Sequence, residues 1–140
     1  MNKDKIENII PHRDSMLLLD EATVNEEGKA IGIKTIVGDE WFLNGHFPGN
    51  PVVPGVILCE ILAQSVCVLM KKDKLDSFIP YFTGLDKVRF KSPVKLGDTL
   101  VTECEIIKEK HPFVFAKGKG YVNNKLCVSA EFSFAIINNN

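Results

Sequence analysis

Pro54-Gly55-Val56-Ile57-Leu58-Cys59-Glu60-Ile61-Leu62-Ala63-Gln64-Ser65-Val66-Cys67-Val68-Leu69-Met70 decides the fold. Proline suits the first turn of a helix, where its missing N–H would be unpaired anyway. No further proline or glycine follows Gly55 in this stretch, so the spacing predicts a helix over residues 54–70, and Lys71, Lys72 and Lys74 suit its negative C-terminal end. Such a helix is roughly 25 Å long. It is apolar nearly all round, and a helix with that profile is buried on most sides.

Something must cover it, and the flanks supply strands. Residues 16–24 read as a strand. Residues 29–37 alternate, with Ala30, Gly32, Lys34 and Ile36 on one side and Ile31, Ile33, Thr35 and Val37 on the other. Glu26-Glu27-Gly28 is the turn between these two strands. After the helix come β segments at 79–90, 98–108, 113–122 and 125–137. Leu100, Thr102, Cys104 and Ile106 share one side, as do Leu126, Val128, Ala130, Phe132, Phe134 and Ile136. Ser92-Pro93 bends the end of the first of these segments, and Asn123-Asn124 is a hairpin signal between the last two. A short helix over residues 4–10 is stopped by Pro11. The expected architecture is α+β: one antiparallel sheet wrapped around one long central helix, in a single domain spanning 1–140.

Composition excludes several function classes. A formal net charge of −1 argues against binding to nucleic acid duplexes. The longest apolar region, 52–70, is broken by Pro54, Glu60, Gln64 and Ser65, so no membrane span is expected. The charged stretch Met1-Asn2-Lys3-Asp4-Lys5-Ile6-Glu7 is not followed by a signal-peptide core, which makes the cytoplasm the expected location. Cys59, Cys67, Cys104 and Cys127 form no CxxC pair and read as reduced thiols packed as small hydrophobes. Cys59 adjoins Glu60 but points about 100° away on a helix, so it is not read as a nucleophile. His12, His46 and His111 lack ligand spacing, and neither GxGxxG nor GxxxxGK[ST] occurs, so no metal or cofactor is expected.

The long loop over 38–53 carries Asn44-Gly45-His46-Phe47-Pro48-Gly49-Asn50, and loops of that length in a compact domain are usually functional. His46 is the candidate base, since histidine exchanges a proton near neutral pH. Glu60 is the candidate acid, because apolar neighbours favour the protonated carboxyl that a general acid needs. Gln64 lies one turn on; it either holds the Glu60 carboxyl or makes a polar contact within the core. Gly55 occupies the first helical turn, where unpaired N–H groups and the positive end of the macrodipole bind a developing oxyanion. Base, acid and oxyanion donor together describe proton abstraction α to a carbonyl with loss or gain of a β-substituent. Lys87, Arg89, Lys91, Lys95, Lys108, Lys110, Lys117 and Lys119 form either a solvated strand face or a patch that steers an acidic partner.

Gly45-His46-Phe47-Pro48-Gly49, Pro54-Gly55-Val56, Glu60 and Ala63-Gln64 resemble the signature of the 3-hydroxyacyl-acyl-carrier-protein dehydratases of type II fatty acid synthesis. The resemblance extends to Pro11-His12-Arg13 with Leu17-Leu18-Leu19-Asp20, and to 81–94 with Gly97-Asp98. It implies a hot-dog fold and homodimers with shared active sites, often trimers of dimers. It implies His46 as base and Glu60 of the neighbouring subunit as acid, with the Gly55 N–H on the thioester carbonyl. Phe47, Gln64 and Tyr81 would border the substrate, and an acyl carrier protein would deliver the acyl chain. Glutamate at position 60 favours a plain dehydratase, where the dehydratase/isomerase relatives typically carry aspartate. Departures occur at Asp14-Ser15-Met16, Asn44, Cys59 and Ile61. The rivals are a dehydratase/isomerase or a hot-dog thioesterase of a specialised acyl pathway, and a non-catalytic acyl-binding subunit.

Overall fold

A computed structural model describes residues 2–7, 16–43, 51–70 and 78–138. Its elements are α1 (Lys3–Glu7), β1 (Glu21–Val24), β2 (Ala30–Thr35), a 3-10 turn (Trp41–Leu43), α2 (Gly55–Cys67), β3 (Phe78–Phe90), β4 (Thr99–Lys110), β5 (Phe113–Val122) and β6 (Lys125–Asn138). Six strands form one antiparallel sheet in the order β1-β2-β4-β5-β6-β3. The sheet wraps α2, which packs against β2, β4, β5 and β6. This is the expected hot-dog arrangement.

The alternation read from the sequence sets which face meets the helix. Leu100, Thr102 and Cys104 of β4 and Val128, Ala130, Phe132 and Phe134 of β6 are all buried. Ile61, Leu62 and Val66 of α2 are 0% exposed against them. Burying each such side chain stabilises the fold by roughly 1.5–3 kcal/mol. Gly32 on β2 lies against the helix. A Cβ there would fall 2.5 Å from Ser65 Oγ and 2.6 Å from Thr102 Oγ1, so only glycine fits. Asn123 and Asn124 both adopt positive φ, at 50° and 64°, and close the β5–β6 hairpin in the manner of a type I′ turn.

Two boundaries differ most from expectation. The strand expected over 16–24 narrows to Glu21–Val24. Residues 17–19 are buried but spend their polar groups elsewhere. Leu18 N–H donates to Gln64 Oε1 at 3.0 Å, and Gln64 Nε2 donates to the Met16 carbonyl at 2.8 Å. The helix side chain takes the place of a neighbouring strand. The helix expected to reach Met70 ends at Cys67, and residues 68–70 close it with i→i−3 bonds to Ser65, Val66 and Cys67. The short N-terminal helix is α1, and its expected continuation over 8–10 lies outside the described residues. Finally, β3 carries register shifts between Phe82 and Gly84 and between Asp86 and Arg89, which the sequence pattern had not suggested.

Candidate active site

Glu60 is the only residue between Ile57 and Cys67 that is not buried. Over that span the helix opens at a single point, and it does so with a carboxyl group. Gln64, itself 0% exposed, donates from Nε2 to Glu60 Oε1 at 3.2 Å. Gln64 makes both contacts at once: a core polar contact with Leu18 and Met16, and a hydrogen bond to the Glu60 carboxyl.

Glu60 faces a small cleft of about 20 Å3 lined by Ala63, Gln64 and Cys67 of α2, Pro80 and Phe82 of β3, and Phe134 of β6. Phe82 pairs with Phe134 across the strands and meets Phe132 edge-on at 6.3 Å between ring centroids. The wall opposite the carboxyl is thus apolar and largely aromatic. Sequence reasoning did not single out Cys67, Pro80, Phe82 or Phe134. Spacing at i, i+3, i+4 and i+7 from Glu60 marks Ala63, Gln64 and Cys67; the strand residues needed the β3–β6 register.

Gly55 is the first residue of α2, after Pro54 at the cap position with φ −57° and ψ 141°. Its Cα lies under the ring of Phe90, and a Cβ would fall 2.7 Å from Phe90 Cζ. The helix N-terminus is anchored behind by Val53 N–H donating to the Val94 carbonyl at 2.8 Å. Tyr81 sits beside Phe82 on β3, 52% exposed, and does not line the cleft. His46 and Phe47 lie outside the described residues.

The loop that leads to residue 46 is held from the front. Lys34 Nζ lies 3.5 Å from Glu40 and 3.7 Å from Asp20, and Glu40 accepts from the N–H groups of Val37 and Gly38 at 3.0 and 2.8 Å. Burial alone would raise the Glu40 carboxyl, but these N–H groups and the Lys34 charge outweigh it and hold its pKa below the ordinary range.

A larger depression of about 430 Å3 lies on the outer face of the sheet, among Lys29, Lys87, Lys117, Lys119, Glu103, Glu105 and Glu131. Its charges pair as Lys29–Glu103, Lys117–Glu105 and Lys87–Glu131 at 3.1, 3.1 and 3.2 Å. It is a solvated sheet face rather than a reaction site, despite its size. Among the described residues no helix is long and apolar enough to cross a membrane.

Residues 10–131 match the model of the FabA-like domain. The chain belongs to the FabA-like family. One member, the 3-hydroxyacyl-[acyl-carrier-protein] dehydratase FabZ of Clostridium perfringens (strain SM101 / Type A), is 42% identical over 137 residues, covering 97% of this chain and 99% of that protein. Another of the same name, from Caldicellulosiruptor bescii, is 47% identical over 137 residues, covering 96% and 98%. Among solved structures, the dehydratase heterocomplex ApeI:P from Xenorhabdus doucetiae superposes with a TM-score of 0.81 at 20% identity, over 95% of this chain and 91% of that one. The PaaI protein of E. coli superposes with a TM-score of 0.62 at 16% identity, over 82% and 81%. At those identities the two structures speak for the fold alone. The FabA-like match spans both the histidine loop and the acidic helix.

Proposed function

We propose that the protein dehydrates (3R)-3-hydroxyacyl-acyl-carrier-protein to the trans-2-enoyl product in fatty acid elongation, as a hydro-lyase of the cytoplasm. One observation carries this reading: between Ile57 and Cys67 the central helix of a FabZ-like chain breaks its burial only at Glu60, whose carboxyl faces an apolar cleft under the hold of Gln64. His46 takes the proton from the α-carbon. The electron pair forms the α–β double bond as the β C–O bond breaks. Glu60 gives its proton to the departing hydroxyl, which leaves as water. The N–H at Gly55 receives the negative charge that develops on the thioester oxygen.

Five helical residues turn the chain by roughly 140°, so the Glu60 carboxylate and the Gly55 position face different ways. That separation supports a site shared between subunits, with Glu60 of one serving His46 and Gly55 of the other. Among the described residues β3 is an edge strand, which supports the same reading. Its Tyr81, Phe82, Leu85 and Phe90 are 52, 42, 48 and 55% exposed, and an apolar strand edge of that length invites a second copy. We assign a homodimer, arranged as a trimer of dimers, with Phe47 and Tyr81 bordering the entry. Exposed lysines would meet the acyl carrier protein.

The test is hydration of a trans-2-enoyl carrier-protein thioester, followed by loss of enoyl absorbance. The wild-type protein consumes it, while His46→Ala and Glu60→Gln do not and elute at the same size. Thiol release from acyl thioesters without hydration would replace this reading with a thioesterase.

A further inference from the structure

The cleft at Glu60 has a direction. Glu60, Ala63, Gln64 and Cys67 follow one another at three, four and seven residues, so they form one stripe along α2. Over that distance the helix rises ~10 Å. Pro80 and Phe82 of β3 and Phe134 of β6 close the opposite side. The reacting centre is at the Glu60 end, and the stripe leads away from it toward the last residue of the helix, Cys67.

Cys67 is 2% exposed, and burial pushes its thiol up to about 12. At neutral pH it is an uncharged, weakly polar group, suited to touching a hydrocarbon chain. The free volume is about 20 Å3, space for about one water molecule. On the facing wall the Phe82 ring meets the Phe132 ring edge-on at 6.3 Å, and Phe134 is its partner across the strands. On the helix side, Cys67 is the lining residue farthest along the stripe from Glu60.

We propose that Cys67 is the specificity-determining residue that sets the acyl-chain limit of this site: the tail runs from Glu60 along the α2 stripe and stops against the Cys67 side chain. This rests on the dehydratase reading and adds to it the residue that selects among its substrates. A smaller residue at 67 lengthens the path; a larger one shortens it.

The experiment measures hydration of crotonyl, octenoyl and dodecenoyl carrier-protein thioesters by the wild type, Cys67→Ala and Cys67→Phe. The quantity read is kcat/KM for the dodecenoyl thioester divided by that for the crotonyl thioester in the same sample. This ratio cancels any loss of folded enzyme. Cys67→Ala raises it ~10-fold, and Cys67→Phe lowers it by a similar factor. An unchanged ratio in Cys67→Ala overturns the inference even if Cys67→Phe fails to fold. A wild type that hydrates none of the three thioesters overturns the dehydratase reading itself.

Discussion

Gln64 Nε2 donates to Glu60 Oε1 at 3.2 Å across one turn of α2, while Gln64 Oε1 accepts the Leu18 N–H at 3.0 Å. One amide side chain thus ties the acidic residue to the segment that precedes β1. Replacing it strands groups at both ends. Gln64→Leu keeps the volume but leaves the Leu18 N–H, buried, without an acceptor, at a cost of ~1–3 kcal/mol. The expected result is a lower urea midpoint together with a fall in kcat, since the Glu60 carboxylate loses a donor that orients it. A variant with wild-type stability and turnover would show that Gln64 holds neither end.

Thr102 lies at the meeting point of helix and sheet. Its Oγ1 accepts the Gly32 N–H at 3.0 Å and sits 2.7 Å from Ser65 Oγ, which is itself 2.8 Å from the Ile61 carbonyl. Ser65 has one hydroxyl proton and gives it to Ile61, so Thr102 must donate to Ser65. Thr102→Val has nearly the same shape but breaks this chain and leaves the buried Ser65 hydroxyl without its donor. It is expected to cost ~1–3 kcal/mol in chemical denaturation, with the chain-length ratio of the enzyme unmoved. Thr102→Ser is expected to restore most of the loss.

The fold was legible because its two periodicities are strong. Val128, Ala130, Phe132 and Phe134 alternate over one long strand, and the helix from Gly55 is apolar all round. Glu60 and Gln64 were legible for the same reason: a polar residue is conspicuous in an apolar helix. Local pattern did not reveal partners that arrive from far along the chain. The Met16–Leu19 stretch reads as a strand in apolarity, yet its backbone is satisfied by Gln64, 46 residues beyond Leu18. The facing of Phe82 and Phe134 depends on the β3–β6 register and on the bulges in β3, which follow from tertiary pairing. His46 was legible only from its motif, and it lies outside the described residues.

Glu40 makes acid stability testable. Its folded pKa is depressed, so its contribution is fully present above the unfolded value and is lost as pH falls through the lowered folded value. Glu40→Gln removes that contribution. The Tm gap between wild type and variant is expected to be largest near neutral pH and to close as the solution is acidified through the carboxylate range. A gap that widens on acidification would contradict the lowered pKa and its origin in the Val37 and Gly38 N–H groups.

Gly55 and Phe90 form a contact with no slack. A Cβ at position 55 would lie 2.7, 2.9 and 3.1 Å from three carbons of the Phe90 ring, so Gly55→Ala must displace that ring or the helix start. Overpacking of this kind costs ~1–3 kcal/mol. Phe90 is 55% exposed, so its ring has room to be cut back. The double variant Gly55→Ala/Phe90→Leu is therefore expected to recover stability relative to Gly55→Ala alone, giving a coupling energy of opposite sign to the single losses. Activity separates two roles for the glycine. If stability returns in the double variant but turnover does not, the bare approach to the Gly55 N–H is what the substrate needs. If both return together, the glycine serves only to seat Phe90 on the helix.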